Sequence, residues 1–247
     1  MSALARSDAS ARVLTGLGAT PVAGDLTATG VLREAAAAAD GVIHLGQHYG
    51  DDTAEVDLAA AEALQEGLGD RGPYVHTGGV WVYGDTAGVV DEDAPQNPPA
   101  ITAWRRANEE RVLSHGGHPV LVMPGLVYGL GGGLIETFFR APVPLIGDGA
   151  NHWALVHAAD IAELYALALQ APAKSVYAGV SGQNLPLAEI VAALGGPTVH
   201  LTLAEAVERM GPIAEAFALD QQLTPARAQR ELGWTPRHLD ALRELRG

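Results

Sequence analysis

Short apolar runs alternate along this chain with longer segments of helical period, and that alternation confines it to a narrow class of folds. Residues 21–23, 41–45, 73–77, 119–123 and 176–180 read as strands, and helical patterns lie between them over 28–39, 54–68, 101–115 and 159–170. Strands that alternate with helices in this way form βαβ units, and such units build an α/β fold on a parallel sheet. Beyond Gly179 the period stays helical over 187–194, 203–209 and 224–232, so the far end of the chain is expected to be mostly helical. Two loops, PQNPP at 95–99 and GLGGG at 129–133, follow strand ends, where an open α/β sheet keeps its ligand crevice.

Composition narrows the function classes. The chain has 247 residues, 48% hydrophobic and only 18% charged, enough to bury a full core. With no cysteine there is no disulfide framework, thiolate zinc site or cysteine nucleophile, and a reducing cytoplasm is the expected setting. No apolar run approaches the ~18 residues of a membrane span, and no secretory leader pattern opens the chain. A balance of 15 basic against 29 acidic residues gives a net charge of −14, which repels nucleic-acid phosphates and anionic lipid surfaces. The expected partner is therefore a small-molecule substrate, with no nucleic acid and no membrane.

The segments GDL (24–26), DGVIHL (40–45), GGVWVYGD (78–85), MPGLVYGLGGG (123–133), GDGANHWALVHAADIAELY (147–165) and RELGWTP (230–236) span nearly the whole chain. In this order they resemble the extended short-chain dehydrogenase/reductases, in particular the NAD-dependent epimerase/dehydratase branch. The resemblance implies a Rossmann-like parallel sheet over 1–128, which also receives about 150–180, and a small, mostly helical C-terminal substrate subdomain over 129–247. It also implies a first strand, a Gly-rich GxxGxxG turn and a helix ahead of the strand that ends in ALARSD. That first βα unit, roughly 30 residues, is expected to be missing. Its glycines would let the backbone approach a pyrophosphate at a helix N-terminus. GLGGG does not replace it, because it follows the substrate-side VYG, and RELGWTPRHLDALRELRG resembles the family's ordinary ending.

A Tyr-x-x-x-Lys pair, in which an ammonium lowers a phenol's pKa for proton exchange, is likewise implied by the family. Here no tyrosine lies between Tyr83 and Tyr128, and the one lysine is Lys174. The matching positions hold Ile101 and Arg105, or Thr102 and Arg106 if slid by one, and the Ser/Thr position holds Gly79 with Thr77 nearby. A guanidinium does not shuttle protons near neutrality, although it binds anions or an enolate. Arg6 and Ser7 stand where relatives resembling NADP users meet the 2′-phosphate, and Asp25 and Leu26 stand where the adenine lies. With the cradle gone these four read as vestiges, and no cofactor is expected.

The crevice at the strand ends is expected to be lined by His48, Tyr49, Asp51, Asp52, Thr77 and Trp81, then by Tyr83, Trp104 and Arg105. Met123, Tyr128, His152 and Trp153 complete it. His48, Tyr83, Arg105 and Tyr128 are assigned to catalysis, His48 first as general acid/base, the usual role of an imidazole. Tyr49, Asp51, Thr77, Trp81, Trp104, Met123, His152 and Trp153 are assigned to substrate. His44 reads as structural, Trp234 as core and Asp160 as a helix N-cap. His44 and His48 share a strand rather than a helix, so no metal is expected.

Three functions remain. The first is a cofactor-independent enzyme on a degenerate scaffold, catalysing non-redox isomerisation, dehydration or cyclisation of an apolar, polyketide-like molecule in biosynthesis. The second is an NAD(P)-dependent epimerase or reductase with a shortened start, for which NADP is the expected cofactor, and the third a non-catalytic ligand sensor or assembly partner. In the resembled family the first strand is central, so its loss bares the edge of 42–45. Strand 21–23 is expected to close against that edge, or a homodimer to cover it.

Overall fold

The computed structural model describes residues 1–246. The chain opens with β1 (Ser2–Ala5), α1 (Asp8–Gly16), β2 (Thr20–Ala23), α2 (Thr29–Ala37), β3 (Val42–His44), α3 (Thr53–Leu68) and β4 (Pro73–Thr77). A short β5 (Val89–Val90) leads to α4 (Ala103–Ser114), β6 (His118–Pro124), β7 (Leu126–Tyr128), α5 (Leu134–Phe138), β8 (Val143–Ile146), β9 (His152–His157) and α6 (Ala158–Ala168). The remainder holds β10 (Val176–Gly179), β11 (Gln183–Pro186), α7 (Leu187–Leu194), β12 (Thr198–Leu201) and α8 (Leu203–Met210). It closes with α9 (Ile213–Phe217), β13 (Gln222–Leu223), α10 (Ala226–Leu232) and α11 (Ala241–Leu245).

Two compact units emerge: residues 1–77, 108–121 and 172–175 form the first, and 78–107, 122–171 and 176 onward form the second. The sequence reading sets 1–128, joined by about 150–180, apart from 129–247; in these units α4 and β6 each start in one unit and finish in the other.

In the first unit β1 pairs in parallel with β2, and β3 in parallel with β4, with Val42 opposite Tyr74 and His44 opposite His76. Parallel neighbours need a crossover, and α1 and α3 supply it. Helix α1 starts at a capping box in which the Ser7 hydroxyl accepts the Ser10 N–H and the Ser10 hydroxyl accepts the Ser7 N–H. Helices α2 and α3 bury Leu32, Ala36, Ala60, Ala61, Ala63, Leu64 and Leu68 in one core with Tyr74 and Val112. Small side chains bring the two helices close, and at Gly67 an added Cβ would collide with the Arg33 carbonyl.

The expected closure of 21–23 against 42–45 does not occur. Among the described residues β2 pairs only with β1, in a sheet of its own, and β3 has a strand neighbour on the β4 side alone. Side-chain packing joins the two pairs instead: Leu4, Leu26 and Val42 all rest on the α2–α3 core.

In the second unit β9 lies parallel to β7 and antiparallel to β11, while β12 pairs with β8 and β13 with β5. Its core is built around Phe217, whose ring centroid lies 5.8 Å from Trp81, 5.7 Å from Phe138, 5.1 Å from Phe139 and 5.4 Å from Trp153. Trp234 is fully buried, as expected, and its Nε1 donates to the Asp160 carbonyl.

Gly-to-Ala exchange inside a helix ordinarily stabilises by about 0.5–1 kcal/mol. At Gly67 the sign reverses: Gly67→Ala should lower stability by roughly 1–3 kcal/mol through overpacking against Arg33, read as a reduced midpoint in urea denaturation.

Candidate functional site

Within each parallel pair the loops that leave the strands start at the same end, where an open α/β sheet holds ligands. Arg6 is exposed directly after β1. Past β2, the Asp25 carboxylate accepts the Thr27 hydroxyl at 2.6 Å and the Thr27 N–H at 2.9 Å. Those two donations, the hydroxyl foremost, hold the Asp25 carboxyl below its ordinary value. Leu26 reaches to the end of β3, where a Cβ on Gly46 would stand 2.9 Å from Leu26 Cδ2. In the loop after β3, His48 Nε2 lies 2.9 Å from Asp52 Oδ1, while Tyr49 and Asp51 are exposed. The Thr77 hydroxyl donates to the His44 carbonyl at 2.7 Å and ties the end of β4 to that of β3.

His44 belongs to a buried polar chain. Its Nδ1 lies 3.1 Å from the Tyr74 hydroxyl, which lies 2.9 Å from His76 Nδ1. His76 Nε2 is 3.8 Å from Asp57 Oδ2, and Asn108 donates to the same oxygen at 3.0 Å. Burial, and then the Asp57 charge, drives the Tyr74 phenol well above its ordinary pKa, so it stays protonated between the two rings.

In the second unit Tyr83 is buried, and its hydroxyl donates to the Glu92 carbonyl at 3.2 Å. Met123 is buried too. Trp81 and Trp153 meet on Phe217, and Trp153 Nε1 donates to the Phe217 carbonyl at 2.9 Å. Trp104 Nε1 donates to the Ile101 carbonyl, and the Arg105 guanidinium lies 4.5 Å over the Trp104 ring. His152 Nδ1 lies 2.8 Å from Asp220 Oδ1, which also accepts the His152 N–H. In this unit Trp81 and Trp153 share Phe217, Trp104 carries Arg105, and His152 pairs with Asp220.

Tyr128 stands in a further group that the sequence reading misses. The cap of α6 is His157, whose Nδ1 accepts the Ala159 N–H at 3.2 Å, and not Asp160. Asp160 accepts from the Arg237 N–H at 3.1 Å and from the His238 N–H and His238 Nδ1, both at 2.9 Å. Burial pushes the Asp160 carboxyl up, but the His238 backbone and ring donors and the Arg237 N–H outweigh it and hold the carboxyl below its ordinary value. The Tyr128 hydroxyl donates to the His238 carbonyl at 2.9 Å, and burial above all keeps that phenol raised. VHAAD at 156–160 and the histidine after GWTPR are far apart in the chain, and neither fragment points to the other.

A model of the NAD dependent epimerase/dehydratase family matches residues 2–179. The chain belongs to this family. Over 98% of its length this epimerase/dehydratase family member is 28% identical to an uncharacterised protein of Schizosaccharomyces pombe, 88% of which is covered. It is 27% identical to an uncharacterised protein of Saccharomyces cerevisiae at the same coverage of both. Among solved structures, it is similar to a double mutant of the dTDP-glucose 4,6-dehydratase DesIV from Streptomyces venezuelae with NAD and DAU bound. The TM-score is 0.78 at 22% identity, covering 97% of this chain and 83% of that one. MoeE5 in complex with UDP-glucose and NAD gives 0.75 at 21% identity, covering 95% and 91%. These likenesses establish the Rossmann-like α/β fold. Among the described residues no helix is long and apolar enough to cross a membrane.

Family membership, with neighbours solved as NAD complexes, overturns the expectation that the chain works without a cofactor. That expectation treats the Gly-rich turn as the whole dinucleotide site, whereas the turn carries the phosphates and other strand ends carry the adenosine. The strand ends at which the family resemblance places the adenosine are present: Arg6 is exposed past β1, Asp25 and Leu26 follow β2, and Leu26 packs so closely on Gly46 that a Cβ there would collide with it. No GxxGxxG run occurs among the 247 residues, so none of them is assigned to the phosphates.

Because its folded carboxyl is held below the unfolded value of about 3.9, Asp160 contributes stability that is fully present above that pH and lost as pH falls through the folded value. Asp160→Asn should cost roughly 2–3 kcal/mol at pH 7, the worth of charge-assisted hydrogen bonds. Urea denaturation of both proteins from pH 7 to pH 3 should show the gap narrowing on the acid side.

Proposed function

We propose that this family member binds a nicotinamide dinucleotide by its adenosine end in the first unit and serves an epimerase- or dehydratase-class reaction on a small molecule. The observation that carries the reading is the set of Arg6, Asp25, Leu26 and Gly46 at the strand ends of a chain that belongs to this family. Such a dinucleotide, when bound, supplies reversible hydride acceptance. Arg6 offers an exposed planar fork suited to a 2′-phosphate, which favours NADP over NAD. Leu26 offers an apolar face to a base, and Asp25, through Thr27, fixes the turn that presents Leu26.

Ile101 and Arg105 stand where the family resemblance places a phenol and an ammonium, so proton transfer is assigned elsewhere. His48 is the proposed acid/base, oriented by Asp52 at 2.9 Å. Neighbours whose names specify dTDP-glucose or UDP-glucose as substrate or ligand support a hydroxyl-bearing substrate. The side of β3 that has no strand partner among the described residues supports a further part of the proposal, that a second copy of the chain pairs along this edge.

Titration of the purified chain with NADPH and NADH tests the reading. NADPH should bind saturably, and Arg6→Ala should weaken it about 10- to 100-fold, the worth of a charge-assisted contact, with NADH little changed. Absence of saturable binding by either dinucleotide removes the proposal. Sedimentation equilibrium should show a dimer; a monomer at tens of micromolar removes the pairing of copies.

A further inference from the structure

Three side chains of ligand type meet where β9 runs into α6, in a group that the proposed function leaves unused. His157 ends β9 and is buried, His238 follows Trp234 in the C-terminal segment, and Glu244 lies on α11. One nitrogen or oxygen from each falls within 4.8 Å of the others. We propose that His157, His238 and Glu244 form a site for one divalent ion of the zinc class.

The separations suit such an ion. His157 Nε2 and Glu244 Oε2 are 3.2 Å apart. Two donors that each sit ~2.0–2.2 Å from one zinc, at angles between a right angle and the tetrahedral one, are themselves roughly 3–3.5 Å apart. The proton between these two atoms thus stands where the ion would bind. His238 is oriented as metal-bound histidines are: its Nδ1 donates to Asp160 Oδ1 at 2.9 Å, which leaves the Nε2 lone pair for the metal. Asp160 is itself fixed by the N–H groups of Arg237 and His238, so the supporting shell is built.

Two adjustments accompany binding. The His157 and His238 rings are stacked, with centroids 3.8 Å apart and planes 23° apart, and coordination of one ion spreads them. His157 Nδ1 now accepts the Ala159 N–H, which puts the ring proton on Nε2. With an ion on Nε2 that proton moves to Nδ1, and the cap bond is given up. Two imidazoles and one carboxylate select zinc, cobalt or nickel over magnesium or calcium. A cleft of about 390 Å³ opens beside His238 and Glu244 and gives water access to complete the coordination. Gly129 keeps the ring's place, because a Cβ there would collide with His157. The ion joins β9 to α11 and so clamps the C-terminal helix.

The test is titration of the metal-free, full-length chain with Co²⁺ alone and then Zn²⁺. One equivalent of Co²⁺ should bind with visible d–d bands, Zn²⁺ should displace it, and zinc should raise the thermal midpoint. His238→Ala and Glu244→Gln should each weaken zinc at least tenfold and erase that rise; their side chains are 38% and 36% exposed, and circular dichroism of each metal-free variant checks that it is folded. In ¹⁵N spectra of the imidazoles, the His157 proton should move from Nε2 to Nδ1 on zinc addition. Lack of stoichiometric Co²⁺ binding by the folded chain, undiminished binding in both variants, or an unmoved His157 proton with zinc bound would each overturn the site.

Discussion

Parallel pairing is the constraint on which this molecule depends. A parallel pair cannot be closed by a tight turn, so β1 and β2 are separated by α1, and β3 and β4 by α3. Helices that cross over must also bury one face, which the alanine-rich sides of α2 and α3 do, down to the backbone approach at Gly67. The same directionality collects the loops that leave each pair at one end. Arg6 and Asp25 leave their strands at one end for that reason, as do the His48 loop and Thr77.

The dinucleotide site of an α/β protein is modular in the same physical sense. Phosphates need backbone N–H groups at a helix start, the 2′-phosphate needs a cation, and the base needs an apolar face. Each requirement is met by a different strand end, so losing sight of one motif says nothing about the rest. The sequence shows no GxxGxxG run, yet Leu26 lies against Gly46 and Arg6 stands exposed past β1. Neither the missing phosphate motif nor the missing Tyr–Lys pair therefore establishes cofactor independence.

Legibility follows length and locality. The reading of 73–77 as a strand and 187–194 as a helix agrees with β4 and α7 residue for residue, and 54–68 differs from α3 by one position. Strands β5 and β13 are two residues long and have no period to detect; they exist because they pair with each other across the chain. Strands β8 and β12 are likewise partners that only tertiary structure brings together. Sequence preference points to Asp160 as the cap of α6 because carboxylates favour that role, but the Asp160 oxygens are taken by the C-terminal segment and His157 caps instead.

What the sequence determined by itself is the order of strands and helices, the family, and the absence of a Tyr–Lys pair, because period and spacing are properties of neighbouring residues. Tertiary structure alone decided that Tyr128, His157, Asp160, His238 and Glu244 form one group, and that Trp81 and Trp153 share Phe217. The reason is that a buried carboxylate or imidazole takes its partners from whatever chain the register and packing deliver, and no local pattern records that choice.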